Sequence, residues 1–410
     1  MENRYNITRL DRKIYYLGFA RFIRATGRVS SFIFLPLVLI SVYGLPFMLT
    51  GLLIGFATLI MAIVQMYSGK MTDKIGRRFF MIIIPLPNVA AYFVMYLAIQ
   101  IHLSVYILLS TLYISIFVNA LQYPALQAAV ADLSPPEFRM SAYTIVRIMA
   151  NTGAAFGPLF GGILAGIGFQ YVFLLASIAT IVEILILFYV VPETYSPNKA
   201  QKGRSVFSWK KNILLDRYFL AFIVIGVVFA FFMRQNSISL TVYAVVLASL
   251  PVTYLGYIFA LNGLIVVLLQ FPMLKLMTKR FSAMTWRSVG AAFYASAFLI
   301  LSISPAFYII IIYMLVSTIG ENFISPTTQT IVTNIAPSTL RGTYIGIYSF
   351  MTRFGSFAGS FLGLMILYLF RNITSTFWIY MAVGMFLVSL SYLLLGMTPS
   401  RHISKVPETD

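Results

Sequence analysis

The sequence contains no cysteine, two histidines and few charged residues. Without cysteine, the chain has no disulfide framework, no thiolate metal site and no cysteine nucleophile. The two histidines, His102 and His402, are far apart in sequence, which leaves no obvious histidine-rich metal cluster. Charged residues make up 10% of the 410 residues, against about 25% in an average soluble domain. This shortage excludes a soluble globular enzyme, a disordered chain and a nucleic-acid-binding protein.

Long apolar runs take the place of the missing charge. Hydrophobic residues form 60% of the chain, and a helix needs about 20 consecutive apolar residues to cross about 30 Å of hydrocarbon. Twelve such stretches are present, which predicts an all-α membrane protein with twelve transmembrane helices. The predicted spans are 14–42, 47–68, 79–101, 104–131, 140–167, 170–191, 217–247, 251–275, 284–303, 305–334, 341–370 and 373–397.

The 29 basic residues outnumber the 11 acidic ones and are concentrated in alternate loops. The intervening loops contain only Arg371, so the positive-inside rule places both termini in the cytoplasm, and we expect the plasma membrane. The polar stretch 192–216 predicts a cytoplasmic linker between two bundles, 1–191 and 217–410, the second with a short tail. The basic loop residues include Lys70, Lys74, Arg77, Arg78, Arg139, Lys199, Lys202, Arg204, Lys210, Lys211, Lys275, Lys279, Arg280, Arg287 and Arg341.

The two halves of the chain repeat each other at nearly constant offsets. At an offset of 202 positions, Gly153 corresponds to Gly355, and several other glycines and polar residues match in order. At an offset of 210, the first span aligns with the seventh, and Arg24 corresponds to Arg234. Parallel repeats in a twelve-span chain predict two pseudo-symmetric six-helix bundles with a transport site between them.

The loop after the second span combines glycines, one acid and two arginines. Glycine permits a tight turn between two helices, and Asp73 can bind a helix N-terminus or a neighbouring arginine. Arg77 and Arg78 can contact anionic lipid headgroups. The alternative is a generic charged turn. The residues that define the pattern are Gly69, Asp73, Gly76, Arg77 and Arg78.

Glycines recur at every fourth residue in the fifth span. Such spacing makes a smooth helix face that another helix can approach closely, and a proline among them removes one backbone donor and bends the helix. A plain packing face is an equally valid interpretation of the same residues. The pattern consists of Gly153, Gly157, Pro158, Gly161 and Gly162.

These two patterns resemble motif A and motif C of the major facilitator superfamily, and motif C is the signature of its drug/proton antiporters. The resemblance implies that the loop gates the conformational change and that substrate is exported in exchange for protons. The family also places an arginine linked to proton transfer in the fourth span. Here no Lys or Arg occurs between Ile101 and Glu137, so the usual proton route is not implied for this chain.

Six arginines and two glutamates are predicted to lie at bilayer depth, where a charge is costly unless it faces water or a partner. Arg21, Arg24 and Arg28 share one face of the first span because they are three and four residues apart. The alternative for these residues is a buried ion pair that stabilises the bundle. The predicted cavity residues are Arg24, Arg28, Arg234, Asn119, Asn262 and Arg147.

The two embedded acids, Glu321 and Glu183, are the predicted proton-coupling groups. Glu321 lies near the middle of the tenth span, and its repeat partner is Asn119. A carboxyl at that depth can take up and release protons, as exchange requires. A carboxylate permanently paired with an arginine is the alternative for both.

Together these features predict a secondary active transporter that works by alternating access, most simply by proton-coupled efflux of amphiphilic small molecules. The excess of embedded basic residues favours a second possibility, a proton-coupled carrier of a small organic anion. A membrane enzyme or nucleotide-driven pump is not predicted, because no zinc motif and no phosphate-binding loop is present. We expect no cofactor or metal, no nucleic-acid partner, and a monomer that interacts with substrate, protons and the lipid bilayer.

Overall fold

The computed structural model describes residues 10–135, 138–192, 216–277, 281–337 and 340–398, and nearly all of them are helical. In this part of the chain, twelve helical stretches are long and apolar enough to cross a membrane. The ends of these apolar stretches lie within five residues of the predicted ones, so the predicted spans are confirmed, although the second helix itself continues to Ile75. The predicted linker falls almost entirely on residues 193–215, which are outside the described residues.

The helices are numbered in chain order. The first half contains α1 (Arg12–Leu37), α2 (Phe47–Ile75), α3 (Arg77–Ile82), α4 (Leu86–Gln100), α5 (Val105–Asp132), α6 (Arg139–Ile167) and α7 (Gln170–Val190). The second half contains α8 (Arg217–Gln235), α9 (Ile238–Val242), α10 (Val252–Met277), α11 (Ala283–Leu301), α12 (Phe307–Ile335), α13 (Arg341–Leu369) and α14 (Thr374–Met397).

Polar residues at helix starts explain where several spans begin. The side chains of Asp11, Ser104, Asp216 and Ser282 each accept a hydrogen bond from a backbone N–H in the first turn of the helix that follows. Such caps satisfy donors that have no partner inside the helix. The sequence therefore defines these helix starts locally.

The first span of each half ends in a π-helical turn. These turns are Val38–Val42 after α1 and Tyr243–Leu247 after α9. Each is closed by an equivalent backbone bond, from Leu45 N to the Leu39 oxygen and from Leu250 N to the Ala244 oxygen, both 2.9 Å. All of these positions are 205 residues apart.

Close contacts made by glycines of α6 and α13 give the same offset of 205 between α1 and α8. A Cβ on Gly153 would collide with the carbonyl oxygen of Phe22, and a Cβ on Gly355 would collide with that of Val227. The next two glycines of each helix repeat this relationship. In α6, Gly157 approaches Thr26 and Gly161 approaches Ser30; in α13, Gly359 approaches Phe231 and Gly363 approaches Gln235. Each partner in α8 therefore lies 205 residues after its counterpart in α1.

The offset of 210 predicted for the first and seventh spans is therefore wrong. The chance similarity of a Phe-Ala pair and an arginine suggested it, whereas helix packing and the π turns fix an offset of 205. At the correct offset, Arg24 corresponds to Phe229, and Arg234 corresponds to Val29. Arg24 and Arg234 are not repeat partners.

The chain divides into two compact units. The first unit comprises Met1–Leu45, Ala57–Gly203 and Pro251–Gly263, and the second comprises Pro46–Phe56, Arg204–Leu250 and Leu264–Asp410. In the first unit, α1 packs against α6 and α7, and α4 packs against α5 and α7. In the second, α8 packs against α13, and α11 packs against α12 and α14. The fully buried aromatic residues include Phe34, Phe80 and Phe173 in the first unit and Tyr294, Tyr313 and Trp378 in the second.

Candidate functional site

The glycine-rich turn between the second and third spans is a single residue. α2 continues to Ile75, and only Gly76 separates it from α3. Gly76 has a φ of 107°, a conformation that favours glycine because it has no Cβ. Gly69, by contrast, lies inside α2, so the prediction that it contributes to the turn is wrong. The side chain of Asp73 lies outside the described residues.

The two arginines that follow Gly76 bind elements of the same unit. Arg77 forms an ion pair with Asp132, at the end of α5. Arg78 donates to the carbonyl oxygen of Phe188 at 3.0 Å, and its guanidinium lies 5.3 Å from the centre of that residue's ring. Sequence reasoning missed Asp132. A signal existed, because an acid at the end of the fourth span lies on the same membrane side as the start of the third.

The glycine face of α6 packs directly on α1. Besides the backbone contact at Gly153, the hydroxyl of Thr26 donates to the Gly153 carbonyl oxygen at 3.2 Å. Pro158 lies within α6 without ending it. On the other side of α6, Gly162 meets Gly256 of α10, so close that a Cβ on Gly162 would lie 2.6 Å from the Gly256 Cα. The predicted packing face is confirmed.

A buried polar cluster in the first unit surrounds Arg24. Its guanidinium donates to the hydroxyl of Thr180 and, at 2.7 Å, to the side-chain oxygen of Asn119. Its Nε lies 3.5 Å from a carboxylate oxygen of Glu183, whose side chain is fully buried. The predicted cavity residues Arg24 and Asn119 therefore form one cluster with the predicted coupling acid Glu183. The Arg24–Glu183 pair matches the alternative interpretation of Arg24, a buried ion pair that stabilises the bundle.

The other predicted residues of the first unit have different surroundings. Arg28 and Arg147 have exposed side chains, whereas Arg21 and Asn262 are half-buried. Arg21 interacts electrostatically with Glu183, and Arg28 interacts with Arg21 and Arg24. The arginine face of α1 thus carries three positive charges beside one carboxylate.

In the second unit, Arg234 donates from Nε to the hydroxyl of Ser360 at 2.9 Å. Arg353 is close enough to repel Arg234 electrostatically. Both arginines are half-buried. Arg353 and Ser360 share one face of α13 because they are seven residues apart, so two guanidinium groups and a hydroxyl belong to one region of this unit.

Glu321 is half-buried on α12, and it interacts electrostatically with Tyr294 of α11. The Tyr294 ring in turn contacts Phe229 edge to face, with ring centres 6.5 Å apart. Glu321 occupies the position of Asn119 in the repeat, and Phe229 occupies that of Arg24. The two units therefore place different chemistry at equivalent positions.

The second unit also buries Arg287, which was predicted to lie in a basic loop. Arg287 is the fifth residue of α11 and only 2% exposed. It donates to Thr328 at 2.5 Å and to Tyr348 at 2.9 Å. Its guanidinium lies over the rings of Phe222, Phe229 and Tyr392, between 4.8 and 5.5 Å from their centres. The predicted span began at residue 284, only three residues before Arg287, and a basic residue so close to the start of a span fits the pattern of the preceding loop.

Known proteins similar to this chain are membrane transporters. A family model described as Major Facilitator Superfamily matches residues 17–360 and 249–410. The Na(+), Li(+), K(+)/H(+) antiporter of Planococcus maritimus is 26% identical over 309 residues, which cover 68% of this chain and 70% of that protein. The uncharacterized MFS-type transporter YqjV of Bacillus subtilis (strain 168) is 22% identical over 344 residues, 80% of each chain.

Solved structures share the fold. A POT family transporter in complex with 5-aminolevulinic acid superposes with a TM-score of 0.80 at 14% identity, covering 96% of this chain and 97% of that one. The nucleoside transporter NupG gives a TM-score of 0.77 at 11% identity, covering 93% and 98%. At these identities the likeness concerns the arrangement of helices and not the substrate.

Proposed function

Since the chain belongs to the Major Facilitator Superfamily, we propose that it exports amphiphilic small molecules in exchange for protons, by alternating access. Membership makes it a membrane transporter and not an enzyme. The antiporter name of one relative supports exchange against protons. The glycine pattern of α6, which resembles motif C, supports export. The proposal places both termini in the cytoplasm and the protein, as a monomer, in the plasma membrane.

The observation that carries the coupling proposal is the difference between the two embedded acids. Glu183 is fully buried and lies against Arg24. Glu321 is half-buried, beside a tyrosine, at the position where the first unit has an amide. A coupling carboxyl must exchange protons with water during the cycle. Glu321 meets this requirement better, and Glu183 acts mainly as the partner of Arg24.

The remaining predicted residues take supporting roles in this proposal. The halves 1–191 and 217–410 are proposed as the bodies that move, joined by the linker 192–216, although residues 46–56 and 251–263 each belong to the compact unit formed mainly by the other half. Gly76 and the Arg77–Asp132 ion pair hold the gate turn, to which Asp73 and Arg78 also belong, whereas Gly69 lies in the helix that precedes the turn. Asn262 and Arg147 contribute to the walls of the substrate cavity.

A second candidate function is proton-coupled transport of a small organic anion. Two observations favour it. Arg28 presents an exposed guanidinium beside two further arginines. In the second unit, Arg234 of α8 lies close enough to Arg353 of α13 to repel it and donates to Ser360 on the same face of α13. An anionic group would relieve the repulsion between such neighbouring cations.

The test uses purified protein in liposomes that contain a pH-sensitive dye. A proton gradient is imposed, and lipophilic cations and organic anions are added in turn. We expect lipophilic cations to trigger proton flux in the wild type and in Ser325→Ala, a control one turn from Glu321 with an exposed side chain. Glu321→Gln should lose this flux but still exchange labelled substrate across the membrane.

Each of the other results is informative. Wild-type proton flux in Glu321→Gln would contradict the coupling role of Glu321. Flux triggered only by anions would favour the second candidate and direct attention to Arg28, Arg234 and Arg353. An absence of flux with both substrate classes would contradict proton coupling for either.

A further inference from the structure

We infer that Asn119, Thr180 and Glu183 form a binding site for one monovalent cation, and that the guanidinium of Arg24 fills it as a tethered cation. We call these three side chains the oxygen cage. Each contributes one oxygen toward Arg24: the amide oxygen of Asn119 at 2.7 Å, the hydroxyl of Thr180, and a carboxylate oxygen of Glu183 at 3.5 Å. The inference concerns a different acid from the proposed coupling group and goes beyond the proposed function.

The cage is held in place by bonds that do not involve Arg24. The Asn119 amide nitrogen donates to the Ser115 carbonyl oxygen at 2.7 Å, which turns its oxygen toward Arg24. The Thr180 hydroxyl donates to the Ala176 carbonyl oxygen at 2.7 Å, leaving its lone pairs available. Gln122 donates to Glu183 at 3.3 Å. The oxygens of α5 and α7 are therefore oriented by contacts that do not depend on α1.

The donor set suits a monovalent cation. All three ligands are oxygens, the atoms that hard cations prefer, and only one carries a formal charge. Glu183 is the one charged ligand, and Arg21 and Arg28 already interact with it electrostatically, so a divalent ion would add more excess positive charge to a buried site than a monovalent ion. In the wild type, Arg24 supplies the single charge from within the chain.

The guanidinium does not use the full capacity of the site. The second carboxylate oxygen of Glu183 is buried and accepts no hydrogen bond, and Nε of Arg24 donates none. Arg24 is 2% exposed and Glu183 is fully buried, so neither group turns to water instead. Each cage oxygen faces a different nitrogen of the guanidinium, so a smaller cation would lie nearer to Glu183 than the guanidinium does and would use the vacant carboxylate oxygen as well.

The inference predicts that removing the arginine creates dependence on a dissolved cation. Arg24→Ala leaves the Glu183 carboxylate buried beside a vacant guanidinium-sized space. Its melting temperature should rise by at least about 3 °C in Li⁺, Na⁺, K⁺ or guanidinium chloride, relative to choline chloride at equal ionic strength and sub-denaturing concentration. The wild type, with the cage already filled, should melt at the same temperature in all five salts, apart from the general effect of guanidinium.

Two variants serve as matched controls. Arg24→Gln keeps the Glu183 carboxylate but fills part of the space with a neutral amide, and Arg24→Ala/Glu183→Gln removes the charge that attracts a cation. After correction for the guanidinium effect seen in the wild type, the first should depend on the salt less than Arg24→Ala does, and the second should melt independently of it. Because melting in detergent requires no transport, the result is separate from any failure of the proton-coupled export proposal.

The inference is overturned if Arg24→Ala melts at the same temperature in every salt. It is equally overturned if that variant cannot be obtained folded in any of them, since rescue by a small cation is the predicted property. Salt dependence that persists in the double variant would show that the cation binds elsewhere, and it would overturn the inference too.

Discussion

The two units bury a guanidinium group in different ways. In the first unit, Arg24 lies among a carboxylate, an amide and a hydroxyl. In the second, Arg287 lies among three aromatic rings and donates to two hydroxyls. The first arrangement relies on an opposite charge, and the second on the negative faces of aromatic rings. Equal depth of burial therefore does not imply equal chemistry.

What the two units share is the backbone framework. The three glycine contacts between α1 and α6 recur between α8 and α13, with the glycines displaced by 202 residues and their partners by 205. Side chains beside these contacts differ: Phe229 stands where Arg24 stands, and Glu321 where Asn119 stands. The repeat preserves how helices approach each other, while each unit carries its own polar groups.

The largest expected effect concerns the carboxylate of the first unit. Glu183→Gln leaves Arg24 buried without its opposite charge, and removal of one partner of a buried pair costs about 3–5 kcal/mol. We expect a correspondingly large drop in melting temperature in detergent. Glu321→Gln is the matched variant in the second unit and should melt much closer to the wild type. Similar losses for both would remove the distinction between the two acids.

The shared framework predicts equal sensitivity at equivalent glycines. Gly153→Ala and Gly355→Ala each place a methyl group against a backbone carbonyl of the neighbouring helix, and overpacking of this kind costs about 1–3 kcal/mol. Gly346→Ala, on α13 with open space around it, is the control and should not lose stability. Destabilisation of only one of the two variants in thermal melts would contradict the equivalence of the two glycine contacts.

The aromatic rings around Arg287 predict that replacement by lysine costs less stability than the loss of the Glu183 charge does. Arg287→Lys keeps the charge but loses planar stacking and the paired hydrogen bonds, at a cost of about 1–2 kcal/mol. Because no carboxylate is among the contacts described for this residue, its melting temperature should not respond to the choice of alkali cation. A cation-dependent rescue like that expected for Arg24→Ala would show that the two sites are alike.

The smallest effect is expected at Gly69. The corresponding residue of the second half, 205 positions later, is Leu274, and both lie inside long helices. Gly69→Ala should therefore raise the unfolding free energy by about 0.5–1 kcal/mol, because alanine loses less entropy in a helix. A loss of stability would indicate that this position needs glycine after all.

The sequence predicted the fold well because membrane crossing imposes long apolar runs. The ends of the apolar spans were predicted to within five residues, and the packing face that includes Gly153 was evident from the spacing of the glycines. The partners of Arg24 were not predictable, since three separate helices bring them together. Arg287 was missed because a shift of a few residues in a span end decides whether an arginine is exposed or buried.

The alignment of α1 with α8 shows a different limit of sequence reasoning. A matching arginine suggested an offset of 210, although Leu45-Pro46 and Leu250-Pro251 already indicated 205. Isolated matches in apolar helices carry little information, because the same few residue types recur. Contacts between backbones, which depend on every glycine in a row, fixed the offset.

The paired π-helical turns at Val38–Val42 and Tyr243–Leu247 set the direction in which the chain leaves the first span of each half. A π turn accommodates an extra residue within a helix, and closing one by deletion would rotate the residues that follow by about 100° about the helix axis. Both halves carry the turn at equivalent positions. A deletion in either turn would therefore misdirect the short connection that leads to the next span.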